Sequence, residues 1–130
     1  MRSIALKTLL VLLAVIAHPA WAGEECSLST LYGDFIETGT GVPSEGSPPR
    51  IVVGVETFDG MGGLSGKETR TTGGEISRVT YDGTYTLDAD CTGTVTVGAA
   101  HWDLVVTKDG REGVLIRTDP GTMFIRNFKK

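Results

Sequence analysis

Few residues in this chain have the type and setting for chemistry, and each depends on the strand that carries it. Glu56 sits between Val55 and Thr57, inside the apolar run Ile51 to Phe58. Turned inward, its carboxyl would have a raised pKa and suit acid–base work. The commoner arrangement turns such a residue outward into water, and that is the expectation here. Arg117 could hold a ligand carboxylate through its planar fork, against a solvated or salt-bridged surface role. His101-Trp102-Asp103 places a base near an acid. In an extended chain His101 and Asp103 share a face and Trp102 takes the other, and a histidine at a strand end is usually just exposed. Tyr85 and Trp102 are candidates for stacking on a ligand, with core packing as the commoner role.

Metal chemistry finds little support. Asp82, Asp88 and Asp90 lie near turns but lack the alternating ligand spacing of a calcium loop, and Asp in turns mainly bonds its own backbone. His101 has no C-x-x-C or H-x-x-x-H partner. The candidate ligand-binding residues are therefore Tyr85, Trp102 and Arg117. No catalytic residue is assigned, and no metal or cofactor is expected.

The elements that must position these side chains read as strands separated by glycine. Gly83 to Val97 alternates Thr with Tyr, Leu or Val on either side of Asp88-Ala89-Asp90. This sends apolar groups to one face and hydroxyls to the other. Helical periodicity is nearly absent. Only Cys26 to Leu31 offers a short helical turn, with Ser27 as its N-cap. The predicted strands are Tyr32 to Gly39, Ile51 to Phe58, Leu64 to Thr72, Glu75 to Tyr81, Gly83 to Leu87, Thr92 to Val97, His101 to Thr107, Glu112 to Thr118 and Thr122 to Phe128. Asp82-Gly83 is either a turn or a bulge within one bent strand. Gly41 to Arg50 is the one long irregular loop, rich in Gly, Pro and Ser. Loops of this kind at a barrel rim often act as lids.

About eight strands joined by short turns make an antiparallel meander. Closing it into a barrel removes the sheet edges; a two-layer sandwich is the alternative. Within the later strands, Trp102, Leu104 and Val106 share a face, Arg117 lies with Leu115, and Phe124, Arg126 and Phe128 fall together. Parity alone leaves open which face points inward, because a one-residue slip inverts everything.

Composition sets the compartment. Arg2 and Lys7 precede the apolar run Leu9 to Ala17, and Ala20-Trp21-Ala22 gives small residues in an A-x-A arrangement. This is the anatomy of a secretory signal peptide over residues 1–22, cleaved after Ala22. The run is too short for a membrane span, which needs about 20 residues. Residues 23–130 then form a single domain. Loss of Arg2 and Lys7 takes the twelve basic residues to ten against sixteen acidic, a net charge of −6. So acidic a chain lacks the basic footprint of a nucleic-acid binder. Cys26 and Cys91 are the only cysteines, and in an exported protein an even count reads as a disulfide.

Four segments occur in a telling order: Cys26-x-Leu28-x-Thr30-Leu31-x-Gly33; Val53-Gly54-Val55-x-Thr57-Phe58-Asp59-Gly60-x-Gly62-x-Leu64-x-Gly66; Gly83-Thr84-Tyr85 leading to Asp90-Cys91-Thr92-Gly93-Thr94; and Asp119-Pro120-Gly121-Thr122. The set resembles bacterial secreted proteins with an allene oxide cyclase-like barrel domain, over nearly all of residues 23–130. The resemblance implies an eight-stranded, calycin-like barrel. Plant allene oxide cyclases close an unsaturated fatty-acid epoxide into a cyclopentenone inside an apolar barrel, related barrels guide other cyclisations, and many members have no assigned function. The shared segments are turns and strand starts. No catalytic position of the plant enzymes matches a residue here, and none is carried over.

The expectation from the sequence is an exported barrel, periplasmic or extracellular, that binds a small hydrophobic ligand. The alternatives are a cyclase or isomerase acting on a lipid-like substrate, and a non-catalytic surface interaction module marked by an exposed apolar patch. Neither nucleic acid nor stable membrane insertion after cleavage is expected, and monomer and homo-oligomer both stay open.

Overall fold

The computed structural model describes residues 25–130, so the expected signal peptide lies outside the described residues. Eight strands follow a 3-10 turn at Leu28–Thr30: β1 (Tyr32–Val42), β2 (Arg50–Asp59), β3 (Gly63–Thr72), β4 (Glu75–Leu87), β5 (Thr92–Val97), β6 (Ala100–Val106), β7 (Glu112–Arg117) and β8 (Met123–Lys129). Each pairs with the next, and β8 returns to β1 from Ile36↔Lys129 to Val42↔Met123. That last ladder closes the barrel and rules out the sandwich. With no unpaired edge, every strand finds a backbone partner on both sides.

Two expected boundaries shift, for physical reasons. Gly41 and Val42 belong to β1 rather than to the loop, because they pair with Phe124 and Met123 of β8. Asp82-Gly83 is not a turn: of the two readings the single strand holds, and its pairing with β3 passes through both residues without a bulge. β4 runs unbroken from Glu75 to Leu87, and Thr84 is the residue where pairing passes from β3 to β5. A Cβ at position 83 would lie 2.5 Å from the Thr96 carbonyl oxygen, so glycine is what lets β5 approach there.

The inward faces are now fixed. Phe35, Phe58, Leu64, Tyr85, Leu87, Leu104, Val106 and Phe128 fill one half of the barrel. Phe35 packs edge-on to Phe58 at 5.5 Å and to Phe128 at 5.2 Å, and Phe58 packs edge-on to Tyr85 at 5.1 Å. Such pairs add about 0.5–1.5 kcal/mol each beyond their burial.

The N-terminal segment seals this half. Leu31 has no exposed surface. The Tyr85 hydroxyl lies 2.7 Å from the Leu28 carbonyl and 3.2 Å from that of Leu31. The expected disulfide joins Cys26 to Cys91 with a Cα separation of 5.1 Å, and the Cys26 N–H donates to the Ala89 carbonyl at 3.2 Å.

Candidate functional site

Toward the other end of the barrel the same inward faces turn polar. Alternation places residues i and i+2 on one face. Glu37 therefore follows Phe35 inward, Glu56 precedes Phe58, Glu68 shares the face of Leu64, and Arg126 lies between Phe124 and Phe128. All four are buried.

Arg126 is the hub. Its Nη1 donates to Glu37 Oε1 at 2.5 Å and to Glu68 Oε2 at 2.8 Å. Its guanidinium lies 5.0 Å from the Trp102 ring centroid and 5.2 Å from that of Phe124. Burial pushes the Arg126 pKa down, but Glu37 and Glu68 outweigh it and hold the pKa above its ordinary value. The Arg70 Nη2 reinforces Glu68 Oε1 at 2.7 Å. On the far side of Glu37, the Tyr81 hydroxyl donates to Oε2 at 2.8 Å. Burial first, and then Glu56 and Glu37, raise the Tyr81 pKa far above its usual value, so the phenol remains a donor.

Glu56 differs from its neighbours. The outward orientation expected of it is wrong: only 2% of its surface is exposed. Strand β2 carries Val52, Glu56 and Phe58 on its inner face, and this parity turns the carboxyl in with them. Burial first, then repulsion from Glu37, raises its pKa well above the ordinary 4.5, so the pocket favours the protonated form. Its Oε2 is buried without a hydrogen-bond partner, as is the Nε of Arg126.

These groups line a cavity of about 200 Å³ with two unlike walls. Val95, Val97, Ala100, Trp102 and Leu115, from β5 to β7, make one wall apolar. Glu37, Glu56, Glu68, Tyr81 and Arg126 make the other polar, and Arg50, Arg70 and Arg117 complete the lining from the strand ends. The Arg50 Nε donates to the Thr72 hydroxyl at 2.8 Å. The loop over residues 43–49 runs beside this end, tied to the β3–β4 turn where the Gly73 N–H donates to the Pro49 carbonyl at 3.1 Å.

Of the residues singled out from sequence, Trp102 and Arg117 meet at this cavity, with the guanidinium 5.4 Å from the indole centroid. Tyr85 does not join them; it is in the sealed half, holding the N-terminal segment. His101 pairs with Asp119 rather than facing Asp103 as a partner. Its Nδ1 lies 2.8 Å from Asp119 Oδ1, with the imidazole 57% exposed. The same carboxylate accepts the His101 N–H at 2.9 Å and the Arg117 Nε at 2.5 Å, and these bonds hold its pKa well below the usual value. Asp90 bonds its own turn, accepting from the Thr92 N–H at 3.0 Å and hydroxyl at 2.6 Å.

Glu37, Glu68, Tyr81, Arg50 and Arg70 were not legible as site residues. A signal existed for the central ones: a charged residue two positions from a phenylalanine, in Phe35-x-Glu37, Glu56-x-Phe58 and Phe124-x-Arg126-x-Phe128, recurs on three strands. No family model matches the chain, and neither the curated proteins nor the solved structures compared with it give a match.

Proposed function

We propose that this is an exported, allene oxide cyclase-like barrel that holds a small molecule between the apolar wall of β5 to β7 and the Arg126 cluster. The observation that carries the reading is Glu56. Its carboxyl is buried at the cavity wall with one oxygen unpartnered, and a group left so in a folded protein costs about 1–3 kcal/mol unless something bonds to it. A ligand donor or acceptor at that point would satisfy it. The apolar wall supports the hydrophobic part of the expected ligand; the opposite wall requires polar groups on it as well. The same carboxyl proton could be passed to a ligand oxygen, which is what a cyclase or isomerase reading would need. Export is supported by the disulfide, which persists in oxidising compartments.

Trp102 is the only tryptophan in residues 23–130, so its fluorescence reports on the cavity alone. Titration of the purified protein with small ring compounds should shift or quench that emission, and Trp102→Phe should abolish the signal. Emission indifferent to every compound tried would overturn the reading.

A second reading rests on the outer surface. Ile36, Val53 and Val55 on β1 and β2, and Val114, Ile116 and Ile125 on β7 and β8, are exposed at 38–65%. Ile36 pairs with Val55 and Ile116 with Ile125, and the two groups are linked across β1 and β8 through Thr40↔Ile125. An aliphatic face of this kind on one side of the barrel fits a second copy of the chain. Sedimentation equilibrium should show a dimer that Ile116→Lys dissociates; a monomer at all concentrations would remove this reading.

A further inference from the structure

We propose that the ligand is a compact organic anion, one or two rings in size, with its anionic group met by Arg50 and Arg70 and its ring against the apolar wall. This rests on the cavity-binding reading above and narrows it.

Size is the first argument. A cavity of about 200 Å³ is little more than the roughly 150 Å³ that accommodates benzene in an engineered apolar site. It lies below the roughly 300–1,000 Å³ of sites for drug-sized ligands. One ring and a substituent fill it; a long acyl chain would have to run out through its open mouth.

Charge is the second. The chain carries a formal −4, yet four guanidinium groups line this one cavity against three glutamates. The burial of one of those, Glu56, favours its uncharged form. Glu37 and Glu68 are taken up by Arg126, and Arg117 is taken up by Asp119. Arg70 shares Glu68 with Arg126. Arg50 bonds a hydroxyl, Thr72, and among the described residues it has no carboxylate at ion-pair distance. Burial and then the neighbouring Arg70 work against its charge, and Glu68 offsets them only in part, leaving its pKa below the ordinary value. An anion at this point would relieve that repulsion, and the guanidinium fork suits carboxylate and phosphate alike.

Position is the third. Val95, Ala100, Trp102 and Leu115 stand across the cavity from the glutamates. A ring laid against them leaves its polar substituent toward Arg50 and a hydroxyl or amide within the reach of Glu56. Neither a neutral hydrocarbon nor a cation would use both walls.

The test is calorimetry and Trp102 fluorescence on the mature protein with matched probes: benzoate, phenyl phosphate, neutral benzamide, benzylamine and oleate. Benzoate or phenyl phosphate should bind at least tenfold tighter than benzamide, with benzylamine weakest and oleate unable to compete. Whichever of benzoate and phenyl phosphate binds tighter identifies the anion's chemistry. Arg50→Gln should erase the preference for anions, read as the ratio of benzoate to benzamide affinity within the same variant, and Arg70→Gln should reduce that ratio. Thermal unfolding of each variant establishes that it is folded. Equal binding of benzoate and benzamide, or displacement of benzoate by oleate, would overturn this inference and leave the cavity reading standing. Silence from all five probes would overturn both.

Discussion

Gly66 and Tyr81 face each other directly across β3 and β4, and the phenol ring occupies the volume a side chain at 66 would fill. A Cβ at that position would sit 2.1 Å from Tyr81 Cζ. The glycine thereby lays the ring flat across the inside of the wall and delivers its hydroxyl to Glu37. Gly66→Ala should destabilise the protein by about 1–3 kcal/mol, the usual range for forcing atoms into a packed interior. Tyr81→Ala should largely cancel the effect of adding the methyl. Urea unfolding of the two single variants and the double variant measures the coupling; additive effects would contradict the packing described.

Removal of the hub should be costlier than removal of the whole cluster. Arg126→Met leaves Glu37 buried without its cation and Glu68 with Arg70 alone, and breaking one side of a buried pair costs about 3–5 kcal/mol. Arg126→Met combined with Glu37→Gln and Glu68→Gln should recover most of that loss. Chemical denaturation at pH 7 compares them. A triple variant no more stable than Arg126→Met would show that the guanidinium acts through packing against Trp102 and Phe124 instead.

Glu56 should give stability a pH dependence of its own. Its folded pKa is raised above the ordinary 4.5, so the folded state holds its proton more tightly than the unfolded chain. Its contribution is complete below about pH 4.5 and is lost as pH rises toward the folded pKa, with a slope of at most about 1.4 kcal/mol per pH unit. The lowered carboxyls, Asp59, Asp90, Asp109 and Asp119, act in the opposite sense and below their ordinary 3.8. The window above pH 4.5 thus separates the two effects. Glu56→Gln should flatten the fall in stability that begins above pH 4.5; an unchanged slope there would mean that Glu56 titrates no higher in the folded protein than in the unfolded chain.

The disulfide spans 65 positions of sequence, which corresponds to roughly 4 kcal/mol in the chain-entropy treatment of such a loop. Cys26→Ser with Cys91→Ser should lower stability by up to that amount while leaving the ligand response of Trp102 intact. Alkylation without reductant should modify neither cysteine in the native protein. Loss of the Trp102 response in a folded double variant would tie the two ends of the barrel together, against the description given.

The strands were legible because Thr alternates with Val, Leu and Tyr and because Gly-rich turns punctuate the chain. The shared faces of Trp102 with Leu104, of Arg117 with Leu115 and of Arg126 with two phenylalanines followed from the same rhythm. Direction did not follow, since period-two alternation is blind to which face is inner until the sheet closes. Glu56 was therefore expected in water, although Phe58 on its own face pointed the other way. Tyr85 and Trp102 looked equivalent as stacking aromatics. Their difference lies along the barrel axis, which is set by the stagger of paired strands and not by composition. Arg50 and Arg70 became partners only through the β2–β3 register, which sets Arg50 against Thr72 and Val52 against Arg70.

The Cys26–Cys91 link fastens the floor of this vessel and no part of its walls. The staves are hooped by eight backbone ladders that run all the way round without it. A reducing environment would therefore loosen the base and let the N-terminal plug come away from Tyr85 and Leu31's seat, while the rim, with Arg50 and Arg70, kept its shape. The cup would lose its base plate and keep its bottom, because the packed layer of Phe35, Phe58 and Phe128 belongs to the staves themselves.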